Sequence, residues 1–183
     1  MMKSIKLFTM VKDENDIVED WLRYHGFIFG FTNLFVIDNF STDGTFQILQ
    51  KYQKKYNINL FRKKDYRLKG KYMDELVSKF KNNIDLAYPL DIDEFIILFN
   101  RENNKINISN IRVYLNSLST DFNIYKTNYI GSTISCNNNY GYHRACAECK
   151  YGIYLDYGNM AKSFINLKKW TGSIDHGNHI PNE

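Results

Sequence analysis

The stretch Leu86-Ala87-Tyr88-Pro89-Leu90-Asp91-Ile92-Asp93-Glu94-Phe95 places three carboxylates between two apolar runs, the second of which continues to Phe99. Both runs have the composition of a buried strand. Because unpaired carboxylates are costly to bury, these acids need a cation or a strand end that faces a cleft. Alternate residues of a strand point to the same side, so Asp91 and Asp93 are predicted to share a hard divalent cation. The alternative is a turn between two strands with solvated acids.

Length and composition limit the class of protein. The chain has 183 residues, of which 44% are hydrophobic and 16% aromatic. These values predict one globular domain over residues 1–183 with a sizeable core. No apolar run is long enough to span a membrane, and the amino terminus enters a strand-like pattern without a signal-peptide core. We therefore expect a cytoplasmic protein with no membrane span, or one domain of a longer chain.

The order of strand and helix patterns predicts an α/β fold. Apolar strand patterns alternate with amphipathic helix patterns through the first hundred residues, with strands at 5–11, 33–37, 58–61 and 85–90 and helices at 17–29, 46–56 and 71–83. Such alternation is typical of a doubly wound, mostly parallel central sheet flanked by helices. The carboxy-terminal half is less regular, with a helix predicted at 108–118 and strands at 122–130 and 160–167.

Three of the predicted strands end in polar clusters, which are Lys12-Asp13-Glu14, Asp38-Asn39 and Asp91-Ile92-Asp93. The carboxyl ends of parallel strands meet at one edge of the sheet, where ligands bind. A nucleotide suits this edge, because Asp38 can accept from a base N–H or a ribose hydroxyl while a metal on Asp93 bridges phosphates. We place Lys12 and Glu14 in the same cofactor site. No G-x-G-x-x-G follows the first strand and no P-loop motif occurs, so neither of those nucleotide sites is supported.

Basic residues and cysteines carry weaker signals. Residues 51–71 contain nine Lys or Arg and one acid, Asp65, which is typical of a solvated helix face and a basic loop, or of a surface that attracts an anionic ligand. Cys146 and Cys149 form a single C-x-x-C motif with Cys136 and His143 nearby. These four residues could hold zinc, but one C-x-x-C without a second pair favours buried or free thiols.

Two motifs together resemble a known family. Asp38-Asn39-Phe40-Ser41-Thr42-Asp43-Gly44-Thr45, followed some fifty residues later by Asp91-Ile92-Asp93-Glu94-Phe95, is similar to the family 2 group of glycosyltransferases with the GT-A fold. Val11-Lys12-Asp13-Glu14 and Glu19-Asp20-Trp21-Leu22-Arg23-Tyr24-His25 resemble the family-2-like and family 92 branch. The resemblance implies a GT-A (Rossmann-like) sheet and a hexosyl- or deoxyhexosyltransferase that uses a nucleotide sugar, usually UDP-linked, with Mn²⁺ or Mg²⁺.

The resemblance also implies a role for individual residues. Asp38 would contact the nucleoside, Asp91 would reach the ribose or a metal-bound water, and Asp93 would bind the metal. Such enzymes often add a late histidine to the metal, and His176 or His179 could supply it. We prefer His176, which follows the strand-like pattern more closely, and an imidazole ligand suits Mn²⁺ better than Mg²⁺. Residues 1–100 would bind the donor and residues 101–183 a glycan, protein or lipid acceptor.

Sugar transfer needs further side chains for the leaving group and the acceptor. The leaving diphosphate must be neutralised by the metal and by basic side chains, for which the candidates are Lys162, Arg67, Lys69 and Lys71. If the enzyme inverts the anomeric centre, a carboxylate must deprotonate the acceptor hydroxyl. Glu148 is the first candidate for this base and Asp156 the second.

Two other functions compete with sugar transfer. A D-x-D phosphatase or phosphotransferase would use a nucleophilic aspartate, but such motifs normally follow the first strand and this one follows the fourth. A non-catalytic nucleic-acid-binding module would use the basic residues 51–71. Those residues are confined to one segment and no RNP-like or zinc-finger motif is present, so we expect no nucleic acid partner.

Overall fold

The computed structural model describes residues 2–132, 152–155 and 162–175. Its described part contains ten strands, which are β1 (Ile5–Val11), β2 (Leu34–Asp38), β3 (Asn59–Arg62), β4 (Leu86–Pro89), β5 (Leu98–Asn100), β6 (Lys105–Asn107), β7 (Ile124–Lys126), β8 (Tyr129–Ser132), β9 (Gly152–Leu155) and β10 (Ser163–Asn166). Its four α-helices are α1 (Val18–Phe29), α2 (Thr45–Tyr56), α3 (Lys69–Lys79) and α4 (Ile111–Ser117). None of the described helices is long and apolar enough to cross a membrane.

Six strands form the central sheet in the order β3-β2-β1-β4-β10-β7. The first four are parallel to one another, whereas β10 runs antiparallel to both β4 and β7. The order 3-2-1-4 is how the doubly wound nucleotide-binding sheet begins, and its helices cover both faces. The predicted α/β class with a mostly parallel, Rossmann-like central sheet is therefore confirmed.

Core residues lie on both faces of the sheet, as expected when parallel strands are covered by helices on each side. Adjacent residues of β1 alternate between the faces, so that Leu7 and Phe8 belong to different hydrophobic clusters. Trp21 of α1 and Leu49 of α2 join the cluster of Leu7, and Met73 of α3 joins that of Phe8. Because β1 lies between β2 and β4, its carboxyl end is in the middle of the sheet edge.

The prediction of a buried strand at residues 95–99 is wrong. The chain turns at residues 91–94, where the Glu94 N–H donates to the Asp91 carbonyl oxygen at 3.2 Å. The strand that follows, β5, is only three residues long and pairs with β6 in a separate two-stranded sheet. Phe95 and Ile96 are apolar because they pack against the α1 side of the core, not because they pair with the central sheet.

The predicted strand at 122–130 is two strands in the structure. The first, β7, pairs with β10 in the central sheet, and the second, β8, pairs with β9. Between them the Thr127 N–H donates to the Lys162 carbonyl oxygen at 2.9 Å. This bond ties the end of β7 to the residue that precedes β10, and it brings Lys162 to the edge of the sheet where β4 ends.

Candidate functional site

The loops after β1 and β2 are bonded to each other across the sheet edge. The Asp13 N–H donates to the Ser41 hydroxyl at 3.0 Å, and the Asp13 carboxylate accepts from the Thr42 N–H at 2.6 Å. One residue further, the Glu14 N–H donates to the Thr45 hydroxyl at 2.8 Å. We call residues 12–15 and 39–45 the paired loops. These bonds use the polar side chains and backbone groups of both motifs.

Asp43 and Gly44 end the second of the paired loops and start α2. The Asp43 carboxylate accepts from the Thr45 N–H at 3.0 Å, from the Thr45 hydroxyl at 2.6 Å and from the Asn15 N–H at 3.0 Å. Slight desolvation raises the pKa of the exposed Asp43, but these bonds outweigh it and the pKa lies below its usual value. Gly44 has a φ of 105°, a conformation that residues with a Cβ rarely adopt. Asp43 and Gly44 thus begin α2 and also form part of the edge of the sheet where the paired loops lie.

Asp38, at the end of β2, is fully buried and already has protein partners. Its carboxylate accepts from Arg62 Nε at 2.9 Å and from the Ser41 N–H at 3.2 Å. The Arg62 guanidinium lies 4.2 Å from the ring centre of Phe40 and 3.8 Å from that of Phe46. Arg62 was not among the site residues predicted from sequence, although it lies at the end of β3 in register with Asp38. A basic residue at the end of a neighbouring parallel strand was the available signal.

Asp91 forms an ion cluster with two buried lysines. Its carboxylate lies 2.5 Å from Lys69 Nζ and 2.9 Å from Lys162 Nζ, and Lys162 Nζ lies 3.8 Å from a Glu94 carboxylate oxygen. The lysines are only 3% and 4% exposed, so each ammonium needs a counter-charge. Partial burial raises the pKa of Asp91, but Lys69 and Lys162 outweigh it, and the net shift is downward.

The cluster brings together residues that the sequence analysis placed in the cofactor site, but in a different arrangement. Lys69 and Lys162 were predicted to neutralise a diphosphate, and in the structure both ammonium groups contact Asp91. The strand geometry from which Asp91 and Asp93 were predicted to point to the same side is absent, because residues 91–94 form a turn and not a strand. We call residues 91–94 the acidic turn. Its backbone is closed by the Glu94 carboxylate, which accepts from the Asp91 N–H at 2.8 Å.

Asp93 is exposed at the tip of the acidic turn, on the side of Glu14. Burial is the main cause that raises the pKa of Glu14, and the negative charges of Asp16, Asp93 and Asp43 raise it further. Glu14 therefore lies in a locally negative environment, which a bound cation would relieve. Among the described residues, no group of three or more His, Cys, Asp or Glu side chains is close enough to hold a metal by itself.

The last described segment, residues 162–175, packs with its end against the start of α3. A Cβ atom on Gly70 would lie 2.6 Å from the Ile174 carbonyl oxygen and 2.8 Å from the Asp175 carbonyl carbon, so the close approach requires glycine. The Ile174 N–H also donates to the Asp74 carboxylate at 2.9 Å. Residues 174–175 are thereby held beside Lys69, the lysine that contacts Asp91.

The remaining predicted residues are exposed or lie outside the described residues. Lys12 donates to the Asn39 carbonyl oxygen at 3.3 Å, Lys71 is exposed on α3, and Arg67 pairs with Asp65 at the surface. The predicted residues outside the described part of the chain are the metal-ligand candidates His176 and His179, the base candidates Glu148 and Asp156, and the zinc candidates Cys136, His143, Cys146 and Cys149.

Comparisons with known proteins give limited matches. No family model and no curated protein matches the chain. The solved structures that match include S. aureus TarS and its residues 1–349 in complex with UDP, each 20% identical with a TM-score of 0.42 over 51% of this chain, covering 17% and 28% of those chains. A cytidylyltransferase from Leptospira borgpetersenii serovar Hardjo-bovis matches at 18% identity and a TM-score of 0.33, over 51% of this chain and 42% of that one. The chain spans less than half of each of these proteins, and the matches assign it to no family.

Proposed function

We propose that the chain is a metal-dependent glycosyltransferase that moves a hexose or deoxyhexose from a nucleotide diphosphate sugar, UDP-linked, to a hydroxyl group. The observation that carries the proposal is the meeting of the paired loops and the acidic turn at the carboxyl edge of one parallel sheet. There an exposed carboxylate, Asp93, lies beside a second one, Asp91, that contacts two buried ammonium groups. This combination suits a bound metal together with a diphosphate.

The oxygen side chains at this edge fit Mn²⁺ or Mg²⁺. Mg²⁺ in particular is usually bound through one or two carboxylates and the phosphates of the substrate, not through a complete protein cage. One exposed aspartate therefore suffices for an ion that arrives with the donor. Asp93 is our direct ligand, and His176, or alternatively His179, is our added ligand. The held position of residues 174–175 beside Lys69 supports His176.

Lys69 and Lys162 are proposed to stabilise the leaving diphosphate while they remain bonded to Asp91. Both ammonium groups contact the carboxylate of Asp91, which places two positive charges at the same point of the sheet edge. In this arrangement Asp91 positions the two ammonium groups. Its negative charge also offsets the free-energy cost of burying them. Asp91 itself is proposed to reach the ribose or a metal-bound water.

The nucleoside is proposed to lie at the ends of β2 and β3. Asp38 is the acid there, and Arg62 holds it in place while Phe40, which is exposed, offers a ring on which a base can stack. Lys12 and Glu14 are proposed to line the same donor site. This division of labour assigns the donor to residues 1–100.

The acceptor side rests on residues 101–183. Glu148, or alternatively Asp156, is proposed to take the proton of the acceptor hydroxyl as a general base. The acceptor itself is a hydroxyl of a glycan, a protein or a lipid.

The proposal is tested by calorimetry with UDP in the presence and absence of Mn²⁺. We expect the wild-type protein to bind UDP only with Mn²⁺ present, and Asp93→Ala to abolish that binding because the direct ligand is lost. Glu102→Gln is the matched control, since it removes the charge of an exposed acid in the loop between β5 and β6. It should bind like wild type.

Other results would favour the competing functions. No metal-dependent affinity of the wild-type protein for any nucleoside diphosphate would refute the transferase proposal. Release of phosphate from a simple phosphoester would favour the phosphatase or phosphotransferase. A gel shift with nucleic acid that survives Asp93→Ala would favour the nucleic-acid-binding module.

A further inference from the structure

Residues 94–97 connect the acidic turn to β5 without pairing to a strand in the described part of the chain. Strand β4 ends at Pro89, and β5 begins only at Leu98. Backbone N–H and C=O groups that are removed from water need other partners. The partners of this segment therefore determine where the acidic turn lies.

Helix α1 supplies partners for both backbone groups of Ile96. The Tyr24 hydroxyl donates to the Ile96 carbonyl oxygen at 2.7 Å, and the Ile96 N–H donates to His25 Nε2 at 3.4 Å. His25 Nδ1 in turn lies 3.1 Å from the Trp21 carbonyl oxygen. These contacts assign the proton of the neutral imidazole to Nδ1, so that Nε2 is an acceptor.

The same two side chains also hold Phe95 by aromatic contacts. The ring of Phe95 stacks on His25 with centres 5.7 Å apart and an interplanar angle of 19°, and it meets Tyr24 edge-on at 5.2 Å. His25 is fully buried, and Tyr24 is 6% exposed. Two consecutive residues of one helix thus fix the backbone and a side chain of the segment that follows the acidic turn.

We propose that Tyr24 and His25 are positioning residues for the acidic turn, which they hold so that Asp93 is presented at the edge of the sheet. Ile96 lies three residues after Asp93, and each residue of extended chain spans about 3.3 Å. Release of Ile96 would allow Asp93 to move by more than the ~0.5 Å that a metal or catalytic geometry tolerates. The functional readout rests on the proposed metal-dependent binding of a nucleoside diphosphate.

A purely structural role for Tyr24 makes a different prediction, and the chain offers a matched control. Tyr52 of α2 is 4% exposed, and its hydroxyl donates to the Glu19 carboxylate, also on α1, at 3.0 Å. Tyr52→Phe and Tyr24→Phe each remove one hydroxyl group from a buried tyrosine. The Tyr52 hydroxyl contacts α1, and the Tyr24 hydroxyl is carried by α1. Only Tyr24→Phe releases the Ile96 carbonyl group. Loss of stability alone would therefore affect both variants in the same way.

The experiment compares UDP affinity with Mn²⁺ in the two tyrosine variants, at a temperature where both are folded. Outer-sphere partners of metal ligands commonly contribute 10- to 100-fold in affinity, so we expect about 10-fold weaker binding for Tyr24→Phe and no change for Tyr52→Phe. His25→Gln keeps an acceptor near the position of Nε2 and should bind more tightly than His25→Phe. Equal affinities of Tyr24→Phe and Tyr52→Phe would overturn the inference.

Amide hydrogen exchange separates this inference from the proposed function. If the wild-type protein binds no nucleoside diphosphate, the proposed function fails, and the positioning role is judged from the amides of residues 91–96. Faster exchange of these amides in Tyr24→Phe than in Tyr52→Phe would support it. Equal protection in the two variants would overturn it.

Discussion

The paired loops and the acidic turn lie at the same edge of the sheet but are held in different ways. The paired loops bond to each other, and their contacts join consecutive parallel strands, as in the bond from the Glu14 N–H to Thr45. The acidic turn depends on side chains from distant parts of the chain. Lys69 precedes Asp91 by 22 residues and Lys162 follows it by 71. One region is therefore specified by its own motifs, and the other by how α1, α3 and β10 pack around it.

The largest effect is expected from Asp91→Ala, which removes the shared partner of two buried lysines. Loss of one partner of a buried ion pair typically costs 3–5 kcal/mol, and we expect about 3 kcal/mol because Glu94 lies near Lys162. Urea unfolding measures the free energy directly. Glu75→Ala is the control, because it breaks an exposed pair with Lys63 and should leave the stability unchanged. An Asp91→Ala protein as stable as the control would show that the turn does not depend on the ion cluster.

The same contrast explains which features could be predicted from sequence. The first strand was predicted at 5–11 and observed at Ile5–Val11, because an apolar run with polar ends is a local signal. That Asp38 and the acidic turn lie at the carboxyl ends of strands of one sheet required only the rule that parallel strands end at the same edge. The apolar run at 95–99 led to the wrong prediction of a buried strand, because Phe95 packs against rings of α1 and takes no part in strand pairing.

The ion cluster could not be predicted in the same way. Nothing in the local sequence of Lys162 indicates that β10 enters the sheet antiparallel beside β4, which is what brings this lysine to Asp91. Lys69 lies in a segment of many basic residues, most of which are exposed. Only the packing of α3 against the sheet distinguishes it from its neighbours. Tertiary contacts between distant segments carry this part of the site.

A smaller effect is expected from Arg62→Ala in the region of the paired loops. The variant leaves the fully buried carboxylate of Asp38 with the Ser41 N–H as its remaining described partner. A buried charged group that loses a hydrogen-bonding partner costs about 2 kcal/mol. Arg62→Lys keeps the charge but not the planar group between two rings, and it should recover part of the loss. Chemical unfolding of both variants tests this, and equal losses would show that stacking outweighs charge at this position.

The smallest effect is expected from the protonation of His25, which makes the free energy of unfolding depend on pH. Burial lowers the pKa of His25 to about 3 from its usual 6.5, so the folded protein keeps the ring neutral where the unfolded chain binds a proton. The unfolded state binds more protons between these two values, and the stability gained from neutral His25 is complete above pH 6.5 and decreases as the pH falls. The slope approaches about 1.4 kcal/mol per pH unit.

Comparison with His25→Gln isolates this contribution, because the carboxylates titrate alike in both proteins. The described rings around His25 are uncharged, namely those of Trp21, Tyr24, Phe29 and Phe95. Urea unfolding at several pH values between about 5 and 8 should therefore show a wild-type stability that falls faster with decreasing pH than that of His25→Gln. Parallel pH profiles would mean that His25 takes up a proton in the folded protein as readily as in the unfolded chain, and a protonated Nε2 cannot accept from the Ile96 N–H. The acidic turn would then be held by Tyr24 and the ion cluster alone, which is closer to the self-contained bonding of the paired loops.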